Sequence, residues 1–345
     1  MKVRKRNTNS GIQLLRFFLS LWIVIVHCTD IKNNRMLWFN GFYVPAFVLM
    51  ASYFYYPALA ARQITKIYFR FKRLLIPYIL WPIFVLLLNN ILLKVFSFSQ
   101  FDRHVSFKNL ITQLIIGNIF HQIFWFQFNL IFSTLIFTII SFIFKKNLYE
   151  IMLLFGILSL YLNLSHIWFN FFSSFSGKKI FTRFLKTYSI TSLNEFIPLS
   201  SLGCALSSMN ILEKIKSKEF ILLLQIIMLS LLHILFKFNI FVPIKGFRYS
   251  NSFLYMSSST ILFLLFGSLQ SDESKILKLI FTNIGKYSGG IYYIHTLLYD
   301  YLSKKIYFFH SRTYFSSITI YFICYFICFI GYKIFRNNNF KYLFI

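Results

Sequence analysis

Hydrophobic positions in this chain come in long runs separated by short polar or basic connections. The runs fall near residues 11–29, 41–61, 76–97, 123–144, 148–164, 193–211, 219–236, 252–270, 283–303 and 315–335. Their length repeatedly approaches the ~20 residues a helix needs to cross the hydrocarbon of a bilayer. The pattern predicts an all-α fold, a polytopic integral membrane bundle of about ten transmembrane helices. A shorter piece, 110–120 (LITQLIIGNIF), cannot span and reads as interfacial or re-entrant. No Pro/Gly/Ser-rich linker, tandem repeat or large polar insert interrupts the series, so residues 1–345 read as a single membrane-embedded domain.

Composition agrees with that reading. The 345 residues are 57% hydrophobic and 21% aromatic with only 13% charged, more apolar sequence than a soluble core could hide. The basic stretch Met1 to Asn7 leads directly into a full-length run without a small-residue cleavage site, so the first span is expected to stay in place. A net charge of +27 would point to nucleic acid in a soluble protein. Here the Lys and Arg lie almost entirely between apolar runs, as topogenic or phospholipid-facing charges, and no nucleic-acid partner is expected.

The two densest basic clusters, Lys2, Arg4, Lys5 and Arg6 and then Arg62, Lys66, Arg70, Lys72 and Arg73, fall on the same side of a ten-span chain. The positive-inside rule then puts the N-terminus and C-terminus in the cytoplasm. Outer loops also carry Lys178, Lys179, Lys304 and Lys305, so the orientation rests on the first two connections. Cys28, Cys204, Cys324 and Cys328 include no CxxC pair and read as small core residues, neither disulfide-bonded nor metal-bound. No pattern encodes an oligomeric state.

Against this apolar background, the ionisable residues of the first run need a reason. GIQLLRFFLSLWIVIVHCTD holds Arg16 and His27 with ten residues between them. A charge at membrane depth costs at least ~2.5–3.5 kcal/mol and usually faces a bundle interior or wet cavity. Eleven positions make about three turns, which puts both residues on one helix face roughly 16 Å apart. His27 suits a general base, and Asp30 at i+3 is placed to hold its tautomer. The plainer alternative makes His27 an interfacial residue bonded to a neighbouring helix and Asp30 a loop acid. Arg16 lies some five residues inside the run and could also snorkel to the surface. His104, His166 and His310 fall in outer loops, His121 at the interface, and His233 is a lone polar residue suited to an interhelical hydrogen bond. No histidine pair has metal-ligand spacing with a third donor nearby, so no metal is expected.

Arg62, Lys66, Arg70 and Arg73 recur at i+4, i+4 and i+3 and would share one face if a helix continued from the second run. Guanidinium forks grip phosphate oxygens bidentately, as a phosphate-rich donor such as an acyl-coenzyme A would require. The alternative is that these charges fix topology and touch anionic headgroups.

These residues resemble the acyltransferase-3 family of integral-membrane acyltransferases. LLRFFLSLWIVIVH is similar to the family's opening element, an arginine and a histidine separated by ten residues. FYVPAFVLMASYFYY resembles its second helix, which ends in Ser-Gly; Ser52 fits and Tyr53 replaces the glycine. RFKR matches Arg-x-x-Arg at Arg70 and Arg73 and is followed by the Leu75–Tyr78 run typical of the third helix. Trp125, Phe126 and Leu130 resemble its Trp-Phe-x-x-x-Leu element, and Ser288, Ile291, Tyr292 and His295 its late Ser-x-x-Ile-Tyr-x-x-His element.

The resemblance implies transfer of an acetyl or other acyl group from cytoplasmic acyl-coenzyme A, a substrate and not a bound cofactor. The acceptor would be a hydroxyl of an extracytoplasmic glycan or lipid-linked glycan such as O-antigen or capsule, at the bacterial cytoplasmic membrane. It implies catalysis by His27 and Arg16, donor binding by Arg70 and Arg73, and support from Ser52, Trp125, Ser288, Tyr292 and His295; spacing adds Asp30 to the first set and Lys66 to the second. A soluble hydrolase-like domain, appended in some relatives, has no room here. A polysaccharide exporter or flippase and a glycan polymerase share the composition. The first should show repeat symmetry or paired helix breaks, and the second a long Arg-bearing outer loop.

Overall fold

The structure, a computed structural model, describes residues 9–29, 43–96, 124–144, 146–164, 188–215, 217–237, 252–269 and 283–345. Among these residues the secondary structure is helical, with no strand. In chain order the helices are α1 (Ser10–Cys28), α2 (Tyr43–Ala60), α3 (Ile64–Phe96), α4 (Phe124–Ile143), α5 (Leu148–Leu164) and α6 (Tyr188–Ser208). They continue with the short α7 (Ile211–Lys214), then α8 (Lys218–Lys237), α9 (Ser252–Ser268), α10 (Ser288–Lys305), the short α11 (Tyr307–His310) and α12 (Tyr314–Ile334). A 3-10 turn at Asn339–Leu343 closes the series. Each of the ten apolar runs carries a helix. Ser10–Cys28, Trp125–Ile143 and Tyr314–Ile334 are long and apolar enough to cross a bilayer by length and composition. The 110–120 piece lies outside the described residues.

The chain divides into two compact units, one of residues 1–50 and 209–345 and the other of 51–208. In the first, α1 packs against α9, α10 and α12, and α10 against α12. Asn9 caps α1 through its side-chain oxygen to the Ile12 amide at 3.1 Å, and its own amide donates to the Gly267 carbonyl at the end of α9 at 2.8 Å. Gly11 makes that junction possible, because a Cβ there would overlap the Phe266 carbonyl oxygen. Ser20 on α1 meets Tyr321 on α12 at 3.2 Å, and Thr29 meets Ser317 at 2.9 Å. Rising numbers on α1 pair with falling numbers on α12, so those two helices run antiparallel. Small and hydroxyl-bearing residues suit such contacts, since lipid offers helices no hydrophobic reason to associate and close packing with hydrogen bonds must hold them.

In the second unit, α6 packs on α4 and α5, and α3 on α4. The core gathers Tyr55, Leu59, Phe137, Met152, Ile197 and Cys204. Gly156 on α5 leaves room for the Ser201 side chain, whose hydroxyl donates to the Met152 carbonyl. The basic stripe belongs to α3 and does not continue the second helix. The chain leaves α2 at Ala60, and Arg62 adopts the left-handed φ of 48°. From this elbow its guanidinium donates to the Ser141 carbonyl at 2.7 Å and the Phe142 carbonyl at 3.2 Å, the exposed C-terminal end of α4. A cation there complements the helix dipole, so Arg62 leaves the stripe for a structural role. Lys66, Arg70 and Arg73 remain together at i, i+4 and i+7 on α3, a helix of 33 residues and about 50 Å. Its first turns therefore extend beyond the hydrocarbon that its apolar remainder can occupy.

Gly11→Ala is expected to destabilise the first unit by about 1–3 kcal/mol, because the added methyl meets backbone that cannot rotate away. The fall in thermal midpoint of the purified protein in detergent measures it; an unchanged midpoint would mean that α1 and α9 are not in this contact.

Candidate active site

The two ionisable residues of α1 each find a partner on α10. Arg16 donates through Nη2 to the Ser288 hydroxyl at 3.0 Å, with Nη1 at 3.4 Å from the Gln13 side-chain oxygen. His27 Nδ1 lies 3.0 Å from His295 Nε2, the rings 5.1 Å apart and tilted by 30°. Higher numbers on α1 pair with higher numbers on α10, so these helices run parallel.

Spacing explains why both contacts form. Ser288 and His295 are seven positions apart, about two turns, and therefore lie on one face of α10, as Arg16 and His27 do on α1. The span between them is shorter on α10, and the long arginine side chain takes up part of the difference. Ser288 begins the helix and is 3% exposed; His295 is fully buried at 0%, whereas His27 is exposed at the end of α1.

The hydrogen bonds assign the tautomers. His295 Nδ1 lies 3.1 Å from the Ile291 carbonyl oxygen, which can only accept, so Nδ1 carries the proton. In the neutral ring Nε2 then holds a lone pair and accepts from His27 Nδ1–H. His27 Nε2 is thereby the lone-pair nitrogen, on the exposed residue of the pair. The relay from the Ile291 carbonyl through His295 to His27 orients a base by its far nitrogen. It strengthens when His27 becomes imidazolium, because its donated hydrogen bond is then charge-assisted.

The other nominated residues have different surroundings. Asp30 lies outside the described residues, as do His104, His121 and His166 and the side chain of His233. Tyr292 is half-buried with its ring centroid 6.1 Å from that of His295. Ser52, Lys66, Arg70, Arg73 and Trp125 belong to the second unit. There Ser52 is buried, its carbonyl 4.0 Å from the Cys204 sulfur. Trp125 packs edge-on to Phe126 and Phe196, a junction of α4 with α6. Arg70 holds its guanidinium 5.6 Å from the centroid of the Tyr55 ring, and the Tyr55 hydroxyl bonds Thr138 at 2.7 Å. Its Nε is buried without a hydrogen-bond partner among the described residues. Arg70 precedes the apolar run of α3, and burial lowers its guanidinium to about 10, still charged at neutral pH.

Sequence spacing alone offers His27 a local partner in Asp30, which lies outside the described residues; the structure gives it a partner 268 positions away. The signal was present as two one-face pairs, Arg16 with His27 and Ser288 with His295; what pairs them is the parallel packing of α1 on α10.

A family model described as an acyltransferase domain matches residues 9–343, nearly the whole chain. No curated protein and no solved structure matches it. Both helices that carry the histidine relay lie inside the matched region, and the chain belongs to the acyltransferase-3 family.

Proposed function

We propose that this protein is an O-acetyltransferase of the cytoplasmic membrane, moving the acyl group of cytoplasmic acetyl-coenzyme A onto a hydroxyl of an extracytoplasmic glycan such as O-antigen or capsule. The observation that carries the reading is the relay from Ile291 through His295 to His27, inside a chain of this family. In the ten-span orientation with both termini inside, the α1 end bearing His27 faces the acceptor and the end bearing Arg16 faces the cytoplasm.

The chemistry follows from the tautomers. His27 Nε2 takes the acceptor hydroxyl proton as the oxygen bonds to the thioester carbonyl carbon. The tetrahedral intermediate collapses by breaking the carbon–sulfur bond, and the departing thiolate recovers the proton from the imidazolium to leave coenzyme A. His295 touches neither substrate and acts by positioning His27. Tyr292, whose ring lies 6.1 Å from that of His295, is proposed as the hydroxyl donor to the developing oxyanion. Arg16, roughly 16 Å from His27 along the helix, is too far for that role and serves the cytoplasmic end of the donor path. The donor's phosphates engage Arg70 and Arg73 with Lys66. A buried guanidinium nitrogen without a partner is costly, and a phosphate oxygen would repay that cost.

His27→Ala, at wild-type membrane level, is expected to lower transfer by roughly 10²- to 10⁴-fold, the usual contribution of a general base. Proton NMR of base-labile acetyl on surface polysaccharide reads it, and full acetylation would remove His27 from the chemistry.

His295→Leu is expected to lower kcat roughly ten- to a hundredfold, as when the partner that orients a histidine is lost. The acetyl-coenzyme A KM should hold, and His295→Gln, whose amide oxygen can accept from His27 Nδ1, should recover part of kcat. Equal losses in both variants would leave His295 only a packing role.

Arg70→Gln with Arg73→Gln should raise the donor KM about tenfold with little change in kcat, the loss of about 1.4 kcal/mol of charge-assisted contact. An unchanged KM would remove the stripe from donor binding.

A further inference from the structure

The interior of the second unit holds polar atoms that the mechanism above does not use. On α4 the hydroxyls of Ser133, Thr134, Thr138 and Ser141 each donate to a carbonyl one turn behind, at 3.2, 2.6, 2.6 and 2.7 Å. That bond is open to any serine in a helix. Ser200 and Ser207 on α6 do not make it: both are buried, and neither hydroxyl has a hydrogen-bond partner among the described residues. Asn129 on α4 has no exposed surface. Its amide nitrogen donates to the Trp125 carbonyl at 2.8 Å, which fixes the sense of the amide. The other end, Oδ1, is buried without a partner among the described residues.

Helix direction brings two of these atoms together. After a short connection α5 returns along α4, with Phe137 against Phe155. In turn α6 returns along α5, the Ser201 hydroxyl meeting the Met152 carbonyl while Gly156 faces Pro198. Thus α4 and α6 are parallel. Trp125 meets Phe196 edge-on with 5.7 Å between ring centroids, and Asn129 and Ser200 each stand four positions further, one turn along the same two faces. They are neighbours across the α4–α6 seam and do not bond to each other. Buried polar groups normally pair, and leaving one unpaired is destabilising.

The chemistry of the gap selects what fills it. Asn129 Oδ1 only accepts, and the Ser200 hydroxyl donates as well as accepts. An amide answers both, its N–H donating to Oδ1 and its carbonyl accepting from the serine. A lipid acyl chain can use neither, and a phosphate has nothing to give Oδ1. Position adds a second constraint. The Arg70 guanidinium lies by the Tyr55 ring, whose hydroxyl bonds Thr138. Asn129 precedes Thr138 by nine positions, about 13.5 Å along α4. A ligand with phosphates at one end and amides on an extended arm matches that separation.

We propose that Asn129 and Ser200 bind an amide of the pantetheine arm of the acyl-coenzyme A donor. The inference rests on the donor reading above and deepens it: Arg70, Arg73 and Lys66 hold the phosphates, and Asn129 and Ser200 hold the arm. An amide entering an apolar bundle must find partners for both of its polar atoms, and this seam supplies them.

The test is calorimetric titration of purified protein in nanodiscs with two ligands, coenzyme A and adenosine 3′,5′-bisphosphate, which carries nucleotide phosphates and no arm. Asn129→Leu is expected to weaken coenzyme A about five- to tenfold and to leave the bisphosphate unchanged. Unchanged coenzyme A affinity overturns the proposal and leaves the seam to buried water. Equal loss of both ligands also overturns it, because that is the mark of a disturbed fold. If wild type binds neither ligand, the donor reading falls and takes the arm site with it, so the wild-type titration tells the two failures apart. Should Asn129→Leu fail to accumulate, Ser200→Ala keeps the test, with about a two- to threefold loss for coenzyme A alone expected and no loss overturning it.

Discussion

Two hydrogen-bonded crosspieces between α1 and α10 set the terms for the rest of the first unit. A buried imidazole or guanidinium in an apolar bundle is tolerated only with a partner, and the cost of leaving one unmade exceeds the gain of making it. His295, with no exposed surface, satisfies one nitrogen on the carbonyl a turn behind it and the other on His27. Sliding α10 by one turn would break both the Arg16 and the His27 contacts. The polar pairs therefore fix the register of two helices that apolar packing alone would leave free to slip. The same pairs that hold the helices fix the orientation of the His27 ring.

The arginines of the second unit show how burial and neighbours separate like residues. Arg62 and Arg70 lie eight positions apart in a basic run and carry the same group. Arg62 turns away at a left-handed elbow and spends its donors on the end carbonyls of α4. Arg70, on the regular helix that follows, stands over an aromatic ring with a buried nitrogen unsatisfied. One ties the elbow to the end of α4; the other keeps a buried donor nitrogen without a hydrogen-bond partner among the described residues. A charge count of the segment treats them alike.

Small residues decide how near the elements come. Gly11 admits a carbonyl, Gly156 a serine side chain, and Gly289 and Gly290 the closing backbone. In each case the neighbour is polar or backbone, so a methyl would displace a hydrogen-bonding group and not merely crowd an apolar one. Trp125, by contrast, acts through size, its ring filling the junction of α4 and α6 against Phe196. Its place in a family element is thus explained by packing.

The sequence by itself determined that the chain is helical and membrane-embedded, because runs of apolar residues have no other stable use and their period needs no partner to be read. Among the described residues a helix stands in each of the ten runs, and three of these helices are long and apolar enough to cross a bilayer. It also singled out Arg16 and His27, since a lone ionisable group in such a run is conspicuous, and it placed Lys66, Arg70 and Arg73 on one face. Only the tertiary structure decided who meets whom. That His27 meets His295, that Arg16 is held by Ser288, that Arg62 leaves the stripe and that Lys286 lies over the Tyr332 ring all depend on helix register and chain direction. Those are settled by long-range packing and by the satisfaction of buried polar groups, which no local spacing encodes.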